Sequence, residues 1–247
     1  MEIINIGIKT AKDFTVRRHY AKTFPPHTNL CYGLYRDSKL VGVVMLGWGV
    51  RPKHTIQRLF PSLNTSDYLE INRLCVDDSQ PRNTESKFLA LICVKLRKEH
   101  PKIKLLFTWA DGIRGKPGYI YQASNFLYGG SIWSEIYITK ENEVVHPRLL
   151  ITRYGCRDKE TYKKLGLRKL RGYQFRYIKF LCGHKERKKL LAETQFKWTR
   201  EYPKNDDLRW TIDAGEGSRE TCQITNLESA GQFRNPALNW EFCLRRR

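Results

Sequence analysis

The order of apolar patterns along this chain predicts an α/β fold: a mixed, largely antiparallel sheet flanked by helices, with a basic C-terminal extension. Three observations lead there. Strand-like runs alternate with helix-like stripes from residue 3 onward. A short apolar run, 103–109, is followed by an acidic residue and a Gly/Pro loop, the signature of a buried strand ending in a functional turn. The length of 247 residues, with 40% hydrophobic and 12% aromatic content, suffices to bury a core.

The elements follow in order. Ile3 to Ile8 alternates as a strand, and Thr10 with Asp13 resembles a helix start leading to His19 and Tyr20. Cys31 to Tyr35 and Leu40 to Trp48 flank the turn signal Arg36-Asp37-Ser38-Lys39 and predict a hairpin. Residues 49–67 read as a connecting excursion, and Tyr68 to Val76 as a further strand. After the polar turn 77–83, Asn83 is expected to cap a helix with the stripe Phe88, Leu91, Ile92, Leu96, stopped by Pro101. The Ile103 strand, a helix over Tyr119–Tyr128, and strands over Ile132–Thr139 and Val144–Ile151 come next. Asp158 is placed to cap a short helix ending near Gly166, and Tyr173 to Leu181 alternates as a strand. From residue 205 few apolar residues recur with any period, which predicts a poorly packed tail.

The segment WADGIRGKPGYIYQASNFLYGG, from Trp109, carries the strongest chemical signal. Asp111 sits at the carboxyl end of the 103–109 strand, where open α/β sheets collect ligands. Gly112, Gly115, Pro117 and Gly118 form a loop that lets backbone approach a ligand, and Asp111 and Tyr121 could face one cleft. The alternative is structural: Asp111 caps a turn and Tyr121 packs in the core.

Charge is the second signal. The net +20 is uneven: residues 1–147 hold 21 Lys+Arg and 13 Asp+Glu, residues 148–204 hold 18 and 5, and residues 205–247 hold 6 and 7. In the middle block cations interleave with Tyr154, Tyr162, Tyr173, Phe175, Tyr177, Phe196, Trp198 and Tyr202, a mixture that suits phosphate neutralisation with base contacts. A solvated basic face has the same composition, and a membrane surface fits less well because no clean amphipathic helix is present. No run approaches a membrane span, and MEIINIGIKT lacks the pattern of a secretory signal. The seven cysteines are scattered and never spaced CxxC, which argues against a zinc ribbon or a secreted disulfide framework and for a reduced, intracellular protein.

EINRLCVDDSQPRNTESKFLA from Glu70, the Trp109 segment, His19-Tyr20 upstream and RYGCRDKETYKKLGL with FRYIKFL downstream occur together in one order. In that combination the chain, over residues 10–204, resembles the phage Mom family of DNA-modification proteins. The resemblance implies a GNAT-like acyltransferase fold and transfer of a carbamoylmethyl-type group to the exocyclic amine of adenine in DNA, shielding phage DNA from host restriction. Residues 1–147 would form the catalytic core, and 148–204 a basic, aromatic-rich segment completing the core and gripping DNA. It further implies activity residues His19, Tyr20, Asp111 and Tyr121, with iron(II) proposed around Tyr20 and Asp111; phenolate and carboxylate are hard oxygen ligands suited to iron. An aromatic pocket of Tyr119, Tyr121, Phe126 and Tyr128 would receive a base that has left the stack. Arg153, Arg157, Lys163, Lys164, Arg168, Lys169 and Arg171 are the expected phosphate contacts. An acyl-CoA-type donor would meet Arg82 and Asn83 at the helix start, although the turn Asp77-Asp78-Ser79-Gln80-Pro81 has no glycine and two acids that oppose an anion. Double-stranded DNA is the expected partner, the host cytoplasm the place of action, and a homodimer an allowed assembly. A GNAT-type acyltransferase acting on a protein or small molecule, and a non-catalytic DNA-binding protein, are the competing readings.

Overall fold

The computed structural model describes residues 1–18, 25, 27–139, 144–145, 147–213 and 219–223, and these form an α/β fold whose strands pair mostly antiparallel. The chain divides into two compact units, each built from three segments. The first holds Met1–Trp109, Tyr119–Gly130 and Arg176–Arg200; the second holds Ala110–Gly118, Ser131–Phe175 and Glu201–Arg247.

In the first unit, β1 (Glu2–Asn5) leads into α1 (Ile8–Arg18), which buries Ala11 and Phe14 against Cys31, Val43, Met45 and Cys75. The hairpin of β2 (Thr28–Arg36) and β3 (Lys39–Gly47) turns through Asp37 and Ser38, with φ of 50° and 61°, a left-handed pair whose twist matches that of the flanking strands. Strand β3 pairs antiparallel with β4 (Tyr68–Val76), and β4 pairs parallel with β5 (Leu105–Asp111). The expected excursion at 49–67 contains α2 (Pro52–Leu59). Pro52 stands in its first turn, and Ile56 and Leu59 bury one face; only two apolar residues in one short helix left little periodicity to read.

Helix α3 (Thr84–Glu99) begins after Asn83, as expected, but the Asn83 side chain makes no capping bond and its backbone is left-handed, φ 66°. Its buried stripe is Phe88, Leu89, Ile92, Cys93 and Leu96, whereas Leu91 is 39% exposed. The stripe is rotated because Leu89 and Cys93, rather than Leu91, complete the 3.6-residue period. The helix expected over Tyr119–Tyr128 is α4 (Tyr119–Ala123) alone. Asn125 takes φ 56° and ends it, and Leu127 opens β6 (Leu127–Ile138). The first unit closes with the last residues of β8 (Arg168–Phe180) and with α7 (His184–Glu193), a helix the lysine-rich sequence concealed. Phe60, Tyr68, Phe107, Ile178, Phe180 and Leu190 form its larger core, with Trp48, Trp109 and Trp198 packed on it.

In the second unit β6 pairs antiparallel with β7 (Val144–Val145). The strand expected over Val144–Ile151 is therefore two residues followed by α5 (Pro147–Tyr154). Pro147 preorganises that helix's first turn, and the run Leu149-Leu150-Ile151 reads equally as either period. Helix α6 (Lys159–Lys164) starts as expected, with the Asp158 carboxylate accepting the Thr161 amide at 2.8 Å. Tyr137, Leu150 and Tyr162 form this unit's core. Strand β8 begins at Arg168, earlier than expected, because Lys169 and Arg171 masked the alternation around buried Leu170. The expected loose tail opens instead with β9 (Arg209–Asp213), paired with β8 and with β10 (Arg219–Gln223). Trp210 is 4% exposed and its indole donates to the Ile113 carbonyl at 3.0 Å, an anchor that a single tryptophan supplies without any period. Residues 214–218 and 224–247 lie outside the described residues.

Gly129 faces the six-membered ring of Trp198 with no room for a methyl group. The Gly129→Ala variant is therefore expected to lose about 1–3 kcal/mol of stability through overpacking, measured as a lowered urea midpoint at unchanged m-value.

Candidate active site

The pairing of β4 with β5 spans Tyr68–Leu105, Leu69–Leu106 and Glu70–Phe107; beyond it β4 runs on to Val76 and β5 to Asp111. Where the pairing stops, the first unit gathers polar groups. The Thr108 hydroxyl lies 3.4 Å from the Ile71 carbonyl and 3.2 Å from the Tyr121 hydroxyl, so it ties α4 to the two strands. The Tyr121 ring packs on Phe126 (5.4 Å) and Tyr177 (5.6 Å). Burial pushes its phenol up, opposed by the Thr108 hydroxyl and the Arg73 charge. On β4 the Glu70 carboxylate accepts from the Tyr68 hydroxyl (3.2 Å) and the Gly49 amide, and burial still raises it above the ordinary carboxylate range. A side chain at Gly49 would press on both Glu70 oxygens, at 2.9 and 3.0 Å, and would push the carboxylate from its place. Two residues on, Asn72 Nδ2 is a buried donor without a hydrogen-bond partner among the described residues.

In the second unit Asp111 ends β5, as expected, and begins a short 3-10 turn, Gly112–Arg114. Its side chain is 24% exposed and pairs with the Arg114 guanidinium at 3.5 Å. Burial raises the Asp111 carboxyl, while the Arg114 guanidinium and amide, the Lys116 charge and the Ile113 amide pull it back down. Gly112 lies against the Tyr173 carbonyl and the Phe175 ring, which fixes the strand end from below.

His19 and Tyr20 lie outside the described residues, and Asp111 and Tyr121 belong to different units, so each is described in its own setting. The cationic surroundings of Asp111 do not fit the expected iron(II): Arg114 already neutralises the carboxylate and Lys116 opposes a second cation. Among the described residues no group of three or more His, Cys, Asp or Glu side chains is placed to hold a metal ion. Of the expected aromatic pocket, Phe126 is fully buried in the core, Tyr119 is 44% exposed, and Tyr128 packs on Tyr177 at 5.7 Å. At the β4–α3 turn Arg82 and Asn83 are exposed. Asp77 there is held below the usual range chiefly by the Ser79 amide and hydroxyl and also by Arg18 (3.2 Å), so one of the two acids is already compensated.

All seven expected phosphate contacts fall in the second unit. Arg153, Lys163 and Lys164 are exposed. Arg157 (3.1 Å) and Lys169 (2.6 Å) share the Glu135 carboxylate, and Arg168 donates to the Thr139 carbonyl at 3.2 Å, so these three also brace the unit. Among residues not singled out from sequence, Glu70, Asn72 and Arg176 stand out. Arg176 is 7% exposed, lies between the Trp109 (5.1 Å) and Phe196 (4.4 Å) rings, and donates to the Gly129 carbonyl at 2.6 Å; burial pulls it down to about 10. The one available signal was a charged residue inside an alternating or apolar strand, in EINRL for Glu70 and in FRYI for Arg176.

The Mom protein family matches residues 1–204. Methylcarbamoylase mom of Escherichia phage Mu is 29% identical over 209 residues, covering 83% of this chain and 84% of that protein. Similar solved structures include an aminoglycoside 6′-acetyltransferase type Ii, with TM-score 0.43, 10% identity and coverage of 74% of this chain and 99% of that one. The GNAT-like decarboxylase GphF, in complex with isobutyryl-CoA, aligns with TM-score 0.43 and 13% identity over 74% of this chain and all of the other, 100%.

Glu70→Gln keeps the acceptor for Tyr68 and Gly49 but removes the ionisation. Because the folded carboxyl is raised, wild type is expected to lose stability relative to the variant as pH climbs from the ordinary carboxyl range through the raised one. Urea midpoints at about pH 4 and about pH 8 check this; an equal gap at both would show that Glu70 is not raised.

Proposed function

This chain belongs to the Mom protein family, and we propose that it is a transferase that places a carbamoylmethyl-type group on the exocyclic amine of adenine in phage DNA. The observation that carries the reading is the family match over residues 1–204, which contains the Asp111 strand end, the Tyr121 helix and the basic block together. The name of the phage Mu relative supports the class of group transferred. Protection of the DNA from restriction inside the host cell is part of the same reading, and double-stranded DNA is its substrate.

Adenine N6 is a weak nucleophile because its lone pair is delocalised into the ring, so the new N–C bond requires removal of a proton. Asp111 is the proposed acceptor. Burial raises its basicity, while Arg114 keeps it oriented and stabilises its charged form. Tyr121 is the proposed orienting group, its hydroxyl held by Thr108 and its ring by Phe126 and Tyr177. His19 and Tyr20 remain proposed participants on the family resemblance. An acyl-CoA-type donor would be held by the orphaned Asn72 amide, by Arg82 and by the start of α3 near Asn83. When bound, an acyl-CoA-type donor would supply a carbonyl electrophile with coenzyme A thiolate as the leaving group and so give an amide at N6, whereas a carbamoylmethyl product needs a donor whose leaving group sits on the methylene carbon.

DNA digested from cells expressing the protein is expected to contain a deoxyadenosine of increased mass. Asp111→Ala is expected to reduce it at least about 100-fold, and Tyr121→Phe by a smaller factor, with DNA binding retained in both. Unmodified DNA from folded wild-type protein supplied with phage-infected cell extract would overturn the reading; equal modification by Asp111→Ala would overturn the role of Asp111.

A further inference from the structure

Among its described residues the second unit leaves one aromatic surface exposed at Trp133. On β6 and β8, Glu135 faces Lys169 and Trp133 faces Arg171 and Tyr173, so residues two apart stand on a common sheet face. At one end of that face Tyr137 is packed beneath Tyr162 (5.3 Å) and Leu150, from α6 and α5. At the other end no described residue is packed on Trp133 from α5 or α6. Trp133 is 43% exposed, its ring 4.6 Å from Tyr173, and the Arg171 guanidinium is 6.0 Å from the indole centroid. Tyr173, itself half-buried, rests on buried Phe175 at 5.9 Å, so exposed Trp133 is supported from the core.

Charge selects the occupant. Lys169 and Arg157 are matched by Glu135, but Arg171 has no carboxylate partner among the described residues, and Arg153 and Lys164 are exposed in the same unit. An aromatic face beside an unmatched cation, in a block of 18 Lys+Arg against 5 Asp+Glu, complements a group with a flat π-face and a phosphate. A base within a duplex has both faces covered by its neighbours, so the group must be a base outside the stack. We infer that Trp133, with Tyr173 and Arg171, forms a stacking platform for an unpaired base of the DNA strand. This inference rests on DNA as the substrate and adds where a strand opened for modification is held.

The test uses the full chain and fluorescently labelled oligonucleotides of one sequence, single-stranded and fully paired. Trp133→Leu keeps apolar bulk but loses stacking. It is expected to weaken single-strand binding about 10-fold at an unchanged salt slope, while duplex binding moves less than about 2-fold. Trp133→Phe is expected to hold single-strand affinity within about 3-fold, and Arg171→Gln to flatten the salt slope by about one. Single-strand affinity unaltered by Trp133→Leu overturns the platform and leaves the DNA reading standing. An equal loss on both substrates, or a loss confined to anionic phospholipid vesicles, also overturns it. A wild-type chain that binds neither oligonucleotide at low salt overturns the platform and the DNA reading together.

Discussion

The short parallel pairing between β4 and β5 is the constraint on which the first unit's chemistry depends. Three residue pairs hold the strands together and then release them, so past Glu70 and Phe107 the facing edges of β4 and β5 no longer pair with each other, while β4 stays paired with β3. Thr108 bridges the opening by reaching both the Ile71 carbonyl and the Tyr121 hydroxyl. A continued ladder would hide these groups, and an unbridged gap would leave α4, only five residues long, with little to fix its angle.

The fold keeps several polar groups where burial disfavours their charged forms. Burial raises Glu70 against one hydroxyl and one amide that favour its charged form, and Arg176 is sheltered among the described residues by two aromatic rings and a carbonyl. In the second unit Asp111 is desolvated yet faces Arg114. In each, the desolvation cost of the charged form outweighs what its neighbours return, as the direction of the shift shows. Such groups persist where their charge or proton is used, which is the ground on which Asp111 is proposed as the proton acceptor.

Much of the frame was legible because its signals are local. The Asp37-Ser38 hairpin turn, the β4 limits, the Asp158 cap and Asp111 at a strand end follow from turn chemistry, alternation and capping. What escaped reading depends on partners distant in sequence. Leu149-Leu150-Ile151 is helix or strand according to what covers Leu150. Trp210 reads as an isolated aromatic until Ile113 supplies its acceptor, and the structural duties of Lys169 and Arg157 appear only once Glu135 lies between them. The same is true of Glu70, whose role depends on Gly49 approaching its carboxylate.

Because each unit is assembled from three separated stretches, the order in which the ribosome delivers the chain matters. The first unit lacks its last segment until Arg176–Arg200 has emerged, although its first segment, Met1–Trp109, appears much earlier. Half-made chains must therefore carry exposed Phe60, Tyr68 and Phe107 surface while waiting for Ile178, Phe180 and Leu190. Long-range closure of this kind slows folding, and no single cut releases either unit as one peptide. A chain truncated before Arg176 therefore lacks the residues that cover this surface.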